Sequence, residues 1–114
     1  GFGNPMNFYL WQMEEYKGKL YAGTFDASVF LRYLDDYDIP IPELQRIKRL
    51  APFLASGADL WCTSDGINWQ PISLNGLGNT NNYGVRTMTT FGNLLVLGMN
   101  NPFQGCEIHA LWSL

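Results

Sequence analysis

The sequence predicts an all-β chain made of four-stranded antiparallel sheets, and two observations support this prediction. The first is an internal repeat without gaps: GFGNPMNFYLWQMEEYKGKLYAGTFD, residues 1–26, returns as GLGNTNNYGVRTMTTFGNLLVLGMNN, residues 76–101. The second is a set of short runs rich in aliphatic, aromatic and β-branched residues, separated by turn residues. With 46% hydrophobic residues among 114, the chain has enough apolar side chains for a packed core.

The repeat keeps its framework residues at an offset of 75 positions, as from Gly1 to Gly76. The positions that stay identical are mostly glycine and asparagine, and in the first copy they are Gly1, Gly3, Asn4, Asn7, Met13, Leu20 and Gly23. A second match, GADLWCT with GCEIHAL, has an offset of 48 positions, from Gly57 to Gly105. Because the two offsets differ by 27, the first copy carries an insertion.

The strand-like runs divide between the two copies as four and three. The first copy supplies YLWQMEEY, KLYAGTF, ADLWCTS and NWQPISL, with tight hairpin turns predicted at Lys17-Gly18 and Asp65-Gly66, the latter of type I′. The second copy supplies VRTMTTF, NLLVLGM and CEIHALW. Four antiparallel strands per repeat form a blade of a β-propeller. The prediction is therefore a partial propeller, with blade one at 1–75 and an incomplete blade two at 76–114.

The insertion, at about 27–56, has a helical pattern. Ser28 is predicted to cap a short helix that runs through Leu34, and Pro42 is well placed to open a second helix. Two interpretations are open: a lid or docking surface, or a decorative loop that packs its apolar stripe on the blade.

The stretch TSDGINWQP resembles the Asp-box of sialidase-like (BNR-type) propellers, through Thr63, Asp65, Gly66 and Trp69. It departs from that motif because Gly66 follows Asp65 directly and Trp69 comes one residue early. The resemblance implies a hairpin between the third and fourth strands of a blade, in which the Asp holds the turn and the Trp packs between sheets. Both roles are structural. The Gly-Phe-Gly-Asn loop is similar to repeats of other propeller-like proteins, and the resemblance favours an extracellular or periplasmic location.

Composition argues against several classes of partner. A net charge of −3 lacks the clustered Lys and Arg that nucleic acid requires. No apolar run approaches the roughly 20 residues of a membrane span. Cys62 and Cys106 lie 44 positions apart in a chain with a single His, which argues against zinc, and two buried free thiols are favoured over a disulfide. No metal or cofactor is predicted.

The strand count predicts partners for the chain. Propellers close with 4 to 8 blades, so one blade and three further strands cannot form a ring. The partners expected are the remaining blades of the same propeller or other copies of the chain, and the first alternative is preferred.

The face that carries the Asn-rich loops and the insertion is the predicted functional face, because function concentrates on long loops of a rigid scaffold. Six candidate ligand-binding residues occupy matched places in the two copies there: Trp11, Arg86, Asp26, Asn101, Asn4 and Asn79. For the asparagines, bracing of the loops is the preferred interpretation over ligand contact.

The function predicted from these residues is a non-catalytic binding or scaffold module for a polar ligand, a glycan or a protein segment. Two alternatives are open: a fragment of a sialidase-like glycoside hydrolase whose catalytic residues lie in missing blades, and a lectin-like ring built from short chains. No catalytic residue is assigned, because no set of acid, base and nucleophile is visible. His109 is interpreted as a partly buried sheet residue.

Overall fold

A computed structural model describes residues 1–31 and 57–112 of the chain, and side chains are described throughout these ranges except at positions 30 and 31. The described part is all-β, as predicted, with one short helix, α1 (Ser28–Leu31). Its strands are β1 (Asn7–Tyr16), β2 (Lys19–Asp26), β3 (Leu60–Thr63), β4 (Trp69–Ser73), β5 (Gly84–Phe91), β6 (Leu94–Asn100) and β7 (Glu107–Leu111). None of the described helices is long and apolar enough to cross a membrane.

The strands form two antiparallel meanders within one sheet. The first meander runs β1-β2-β3-β4 and the second runs β5-β6-β7, each strand pairing with the next along the chain. The two meanders join through a bridge between Phe25 of β2 and Gly84 of β5. Antiparallel meanders need only hairpin connections, which agrees with the turn residues in the sequence.

The pairing registers of the two meanders agree at the offsets of the sequence repeat. Tyr9 pairs with Phe25 in the first meander, and Gly84 pairs with Asn100, 75 positions later, in the second. Both inner strands also carry a register shift at the same place, which leaves Trp11 unpaired in β1 and Arg86 unpaired in β5. A β-bulge bends its strand and redirects a side chain, so these two residues have the same unusual backbone setting.

Of the two predicted hairpin turns, the one at Lys17-Gly18 is confirmed and the one at Asp65-Gly66 is not. Lys17 and Gly18 have positive φ angles of 49° and 76°, which form a type I′ hairpin and confirm the tight turn predicted there. The prediction of a tight type I′ turn at Asp65-Gly66 is wrong, because five residues, 64–68, separate β3 from β4 and only Gly66 among them has a positive φ. The physical reason is that the Asp65 side chain accepts the amides of Ile67 and Asn68, which stabilises a wider loop.

Most of the predicted helical insertion, residues 32–56, lies outside the described residues. Its start is described: α1 begins at Ser28, whose amide donates to Asp26 Oδ1 at 2.7 Å. The Asp26 side chain therefore accepts an amide at the start of this helix, and the cap predicted for Ser28 stays a prediction.

The core lies between the two meanders. The first meander contributes Tyr21, Leu60 and Cys62, and the second contributes an inward-facing row on β5 and β6, Val85, Met88, Leu95, Leu97 and Met99. Both cysteines are free, as favoured, but only Cys62 is buried and Cys106 is exposed, because Cys106 precedes β7 at the open side of the second meander.

Candidate functional site

The site begins with the two bulge residues, which the fold brings together across the junction of the meanders. The guanidinium carbon of Arg86 lies 5.0 Å from the centre of the Trp11 ring, a cation–π distance. Trp11 meets the ring of Phe25 edge to face at 5.1 Å, and Tyr9 stacks on Phe25 at 4.9 Å. The edge of Tyr83 completes the cluster, 5.6 Å from Phe25. These five residues are called the junction rim below.

A glycine makes the junction rim possible. A Cβ atom at Gly84 would lie 2.2 Å from the ring of Trp11, so only glycine lets the indole lie against β5. Gly84 is also the residue that bridges to Phe25, and so the aromatic cluster and the junction of the sheets share one position. The bulge in β5 places Arg86 on the accessible side of the indole.

The junction rim is open to solvent. Tyr9 is 52% exposed, and its neighbour Phe8 is 60% exposed. Arg86 is exposed as well, whereas Trp11, Phe25 and Tyr83 are partly buried. Aromatic faces and a fixed cation that remain accessible can bind a polar ligand by stacking and by charge-assisted hydrogen bonds.

The other predicted ligand residues lie in hydrogen-bond networks that hold the entry loops. In the first loop, Asn4 donates to Asp26 Oδ2 at 3.1 Å and accepts the Met6 amide at 2.9 Å. In the second, Asn79 donates to Gln104 at 2.7 Å and accepts the amide of Asn81. Asn101 accepts the amides of residues 103 and 104. Its repeat equivalent Asp26 accepts the amide of residue 28 in the same way. This is the geometry expected of loop braces.

Two further asparagines lie at the centre of these networks. Asn7 donates to the carbonyl of Gly1 at 3.2 Å and to Asp59 Oδ2 at 2.7 Å. Its counterpart Asn82 donates to the carbonyl of Gly76 and to Glu107 Oε1, both at 2.9 Å. Both asparagine side chains are buried, so each bond replaces one that water would make in the unfolded chain.

The acids that receive these bonds, Asp59 and Glu107, were missed as members of the site. The alignment of GADLWCT with GCEIHAL places them opposite each other, and that match was the signal that could have found them. The ring two positions later in the chain contacts each acid: Trp61 Nε1 lies 3.0 Å from Asp59, and His109 Nε2 lies 3.0 Å from Glu107. Both meanders therefore have an acid at this equivalent position and an aromatic ring that contacts it.

The pKa values of the two acids shift in opposite directions, because Asp59 is buried and Glu107 is only partly buried. Burial raises the pKa of Asp59, and hydrogen bonds from Trp61 and Asn7 oppose that rise. Hydrogen bonds from Asn82, Asn79 and His109 lower the pKa of Glu107 to about 2. His109 lies on β7 and is partly buried, as predicted.

The turn that resembles an Asp-box is held by two side chains. Asp65 Oδ1 accepts the amides of Ile67 and Asn68, both at 2.8 Å, and Thr63 Oγ1 accepts that of Gly66 at 2.9 Å. The amides of Asn68 and then Ile67 hold the pKa of Asp65 well below its usual range. Asp65 is therefore ionised at neutral pH, and its bonds are charge-assisted.

Trp69, the last of the four residues that carry the Asp-box resemblance, contacts the first entry loop. Phe2 stacks on Trp61 with ring centres 4.5 Å apart and meets Trp69 edge to face at 5.5 Å. Phe2 has a positive φ of 53°, which costs free energy for a residue with a side chain, and this aromatic contact offsets the cost. Trp69 thus helps to hold the loop that precedes β1.

We expect Thr63→Ala and Asp65→Ala to destabilise the β3–β4 turn. Thr63→Ala removes one acceptor and should cost about 1 kcal/mol of unfolding free energy. Asp65→Ala should cost more, and Asp65→Asn less than Asp65→Ala, because asparagine keeps one oxygen for the amides. Urea denaturation measures these differences, with Ser64→Ala as the control in the same loop. Equal stabilities of Asp65→Ala and Ser64→Ala would contradict the role of the carboxylate.

No metal cluster of three or more His, Cys, Asp or Glu side chains occurs in residues 1–31 and 57–112. No protein-family model, curated protein or solved structure matches the chain. The functional conclusion therefore depends on the geometry of the junction rim and of the loop networks.

Proposed function

We propose that the chain is part of a β-propeller of the Asp-box type and acts as a non-catalytic binding module for a polar ligand, a glycan or a protein segment. The ligand would bind at the junction rim, on the face that carries the Asn-rich loops. The observation that carries this proposal is the contact of Trp11 with Arg86, two bulge residues at matched places in the repeat.

The propeller part of the proposal is supported by topology. Four antiparallel strands in sequence order, followed by three more in the same registers, are the arrangement of one blade and most of the next. The inner strands β1 and β5 would line the central channel, and the turn held by Asp65 would connect the outer strands of the first blade.

The binding part is supported by how the two copies differ. Framework glycines and asparagines stay the same because both loops need them, but Trp11 is replaced by Arg86 in the second copy. The replacement joins an aromatic face and a cation at one place. Asn4, Asp26, Asn79 and Asn101 would then hold the loops in position beside the ligand.

A binding assay with variants of the junction rim tests the proposal. Trp11→Ala and Arg86→Ala, in the complete assembly, should each weaken binding to a responsive member of a glycan and peptide panel about tenfold or more. Arg86→Ala, which removes the cation–π contact alone, should reduce stability by only about 0.5–1 kcal/mol. Trp11→Ala should cost more, because it also removes the ring contact with Phe25. The responding class of panel member would identify the ligand.

The matched control is Lys17→Ala. Lys17 Nζ lies 5.2 Å from the ring centre of Tyr16, so this substitution also removes an exposed cation from an aromatic ring, but at the β1–β2 hairpin. It should leave binding unchanged. Loss of folding stability in the rim variants without any change in binding would contradict the proposed site and leave a structural role.

A further inference from the structure

Four exposed apolar side chains of the sheet, Leu10, Met13, Phe91 and Ile108, occupy the repeat equivalents of positions that are buried between the two meanders. The buried junction shows which faces meet. One face of the first meander, with Tyr21 and Leu60, packs against the β5–β6 face of the second, with Val85 and Leu97. Each meander has another face, called here its outer face, which points away from this junction.

The outer face of the first meander presents the equivalents of the second meander's buried row. Leu10 is 43% exposed, whereas its equivalent Val85 is 1% exposed. Met13 is 45% exposed, whereas its equivalent Met88 is 6% exposed. A groove of about 320 Å³ opens beside them, lined by Phe2, Phe8 and Leu10 among others. The outer face of the first meander is therefore apolar at the same positions as the β5–β6 face of the second meander, which is buried in the junction.

The outer face of the second meander presents the equivalents of the first meander's buried row. Ile108 is 68% exposed and corresponds to Leu60, which is 1% exposed. Phe91 is 74% exposed and corresponds to Tyr16, which is 4% exposed. β7, which carries Ile108, pairs with β6 and has no second strand partner among the described residues, so this side of the sheet also offers a backbone edge.

The two outer faces are therefore the two halves of one contact, carried at opposite ends of one chain. Monomeric proteins rarely leave large apolar side chains clustered in solvent, and such patches mark interaction surfaces. A second copy of this chain presents both kinds of face, and the buried junction shows that faces of these two kinds pack together within the chain. Contacts of this kind, between different faces, continue from copy to copy and form a ring if the rotation closes.

We propose that copies of this chain associate head to tail, with the outer face of the second meander of one copy on the outer face of the first meander of the next. The contact repeats the buried junction within the chain. The inference uses the repeat architecture of the proposed function but does not depend on the junction rim, so it can fail while ligand binding survives, and the reverse.

Sedimentation equilibrium of the purified chain without ligand tests the proposal. The wild type should show masses above 12.9 kDa that rise with concentration from micromolar to millimolar. Met13→Lys damages one face and Ile108→Lys the other, so each variant alone should sediment as a monomer. Both residues are exposed, so the free energy of unfolding should change little. Ile67→Lys is the matched control, because Ile67 is 80% exposed in the β3–β4 loop, and it should associate like the wild type.

A mixture of the two variants provides the decisive result. Met13→Lys keeps the second meander's outer face intact, and Ile108→Lys keeps the first meander's, so an equimolar mixture should form dimers and nothing larger. The pair Leu10→Lys and Phe91→Lys should behave in the same way if either first variant folds poorly. A monomeric wild type, a mixture that stays monomeric, or single variants that still associate would each overturn the proposal. A monomeric wild type would assign the outer faces to another occupant, such as a further repeat.

Discussion

Replacing Gly23 by alanine is expected to destabilise the chain by about 1–3 kcal/mol, as overpacking of a close contact usually does. A Cβ atom at Gly23 would lie 2.4 Å from Cβ of Val85, a distance that real side chains do not adopt. Val85 is 1% exposed, so its side chain has no free space into which it could move. Because Gly23 belongs to the first meander and Val85 to the second, the substitution should weaken the junction between them. Urea denaturation measures the loss.

A double-mutant cycle separates this steric effect from a general effect on the strand. Val85→Ala alone should cost about 2 kcal/mol, from about 0.8 kcal/mol per buried methyl or methylene group. In the Gly23→Ala background the same substitution removes Cγ1 and Cγ2 of Val85, which an added Cβ would meet at 2.6 and 2.7 Å, but keeps Cβ of residue 85. It should therefore cost less than in the wild type, with a coupling energy within the usual 0.5–3 kcal/mol.

The repeat supplies a control for Gly23. Gly98 occupies the equivalent place in the second meander, but an added Cβ there would meet chiefly the hydroxyl of Thr87, an exposed residue that can rotate. Gly98→Ala should therefore cost less than Gly23→Ala. Equal costs would mean that the contact with Val85 does not dominate, and the assignment of the junction would have to change.

Local sequence signals predicted the strands and one hairpin because they act within a few residues. Lys17-Gly18 suits two consecutive positive φ angles, and no distant contact is needed for that turn. Asp65-Gly66 has similar composition, yet the Asp65 carboxylate binds the amides that follow it and produces a wider loop. The competition between a backbone turn and a side-chain cap was not visible in the dipeptide alone.

The internal repeat predicted features that local strand propensity could not, because two copies of one sequence pattern form strands with the same pairing register. It identified Trp11 and Arg86 as equivalent residues, and the structure brings them into contact. It did not predict the bulges, which depend on which residues pair across the strands.

The largest omission in the predicted site was the pair of acids, Asp59 and Glu107. Asp59 lies 52 positions from Asn7 in the chain, and no local pattern connects an acid before the third strand to an asparagine at the start of the first. Only the meander fold brings the two loops together. The matched positions of Asp59 and Glu107 were present in the alignment, but a single acidic residue carries little signal without a known partner.

Replacing Asn7 by alanine is expected to produce a large loss of stability, about 3 kcal/mol at neutral pH, because three hydrogen bonds disappear together and two of them are buried. The side chain donates to Gly1 and Asp59 and accepts from Thr24 Oγ1 at 2.9 Å. Asp59 is 3% exposed, so water cannot easily replace the lost donor.

The pH dependence of this loss identifies its cause. Burial already raises the pKa of Asp59 above 3.8, and the bond from Asn7 opposes that rise, so its removal raises the pKa of the folded state further. A carboxyl with a raised pKa favours folding in its protonated form. The penalty of Asn7→Ala relative to wild type should therefore be smallest in acid and should grow as pH rises above the wild-type pKa of Asp59.

Asn82→Ala is the matched substitution in the second loop, and its pH window should differ. Asn82 helps to lower the pKa of Glu107 from 4.5 to about 2, so the stability from this bond is present above pH 4.5 and is lost as pH falls toward 2. As pH rises, the extra penalty of Asn82→Ala should therefore develop between about pH 2 and 4.5 and stay constant above pH 4.5. That of Asn7→Ala should develop only above pH 3.8. Urea denaturation of both variants and the wild type across this pH range measures the two windows. A penalty of Asn7→Ala that is the same at every pH would show that the carboxylate of Asp59 does not depend on Asn7.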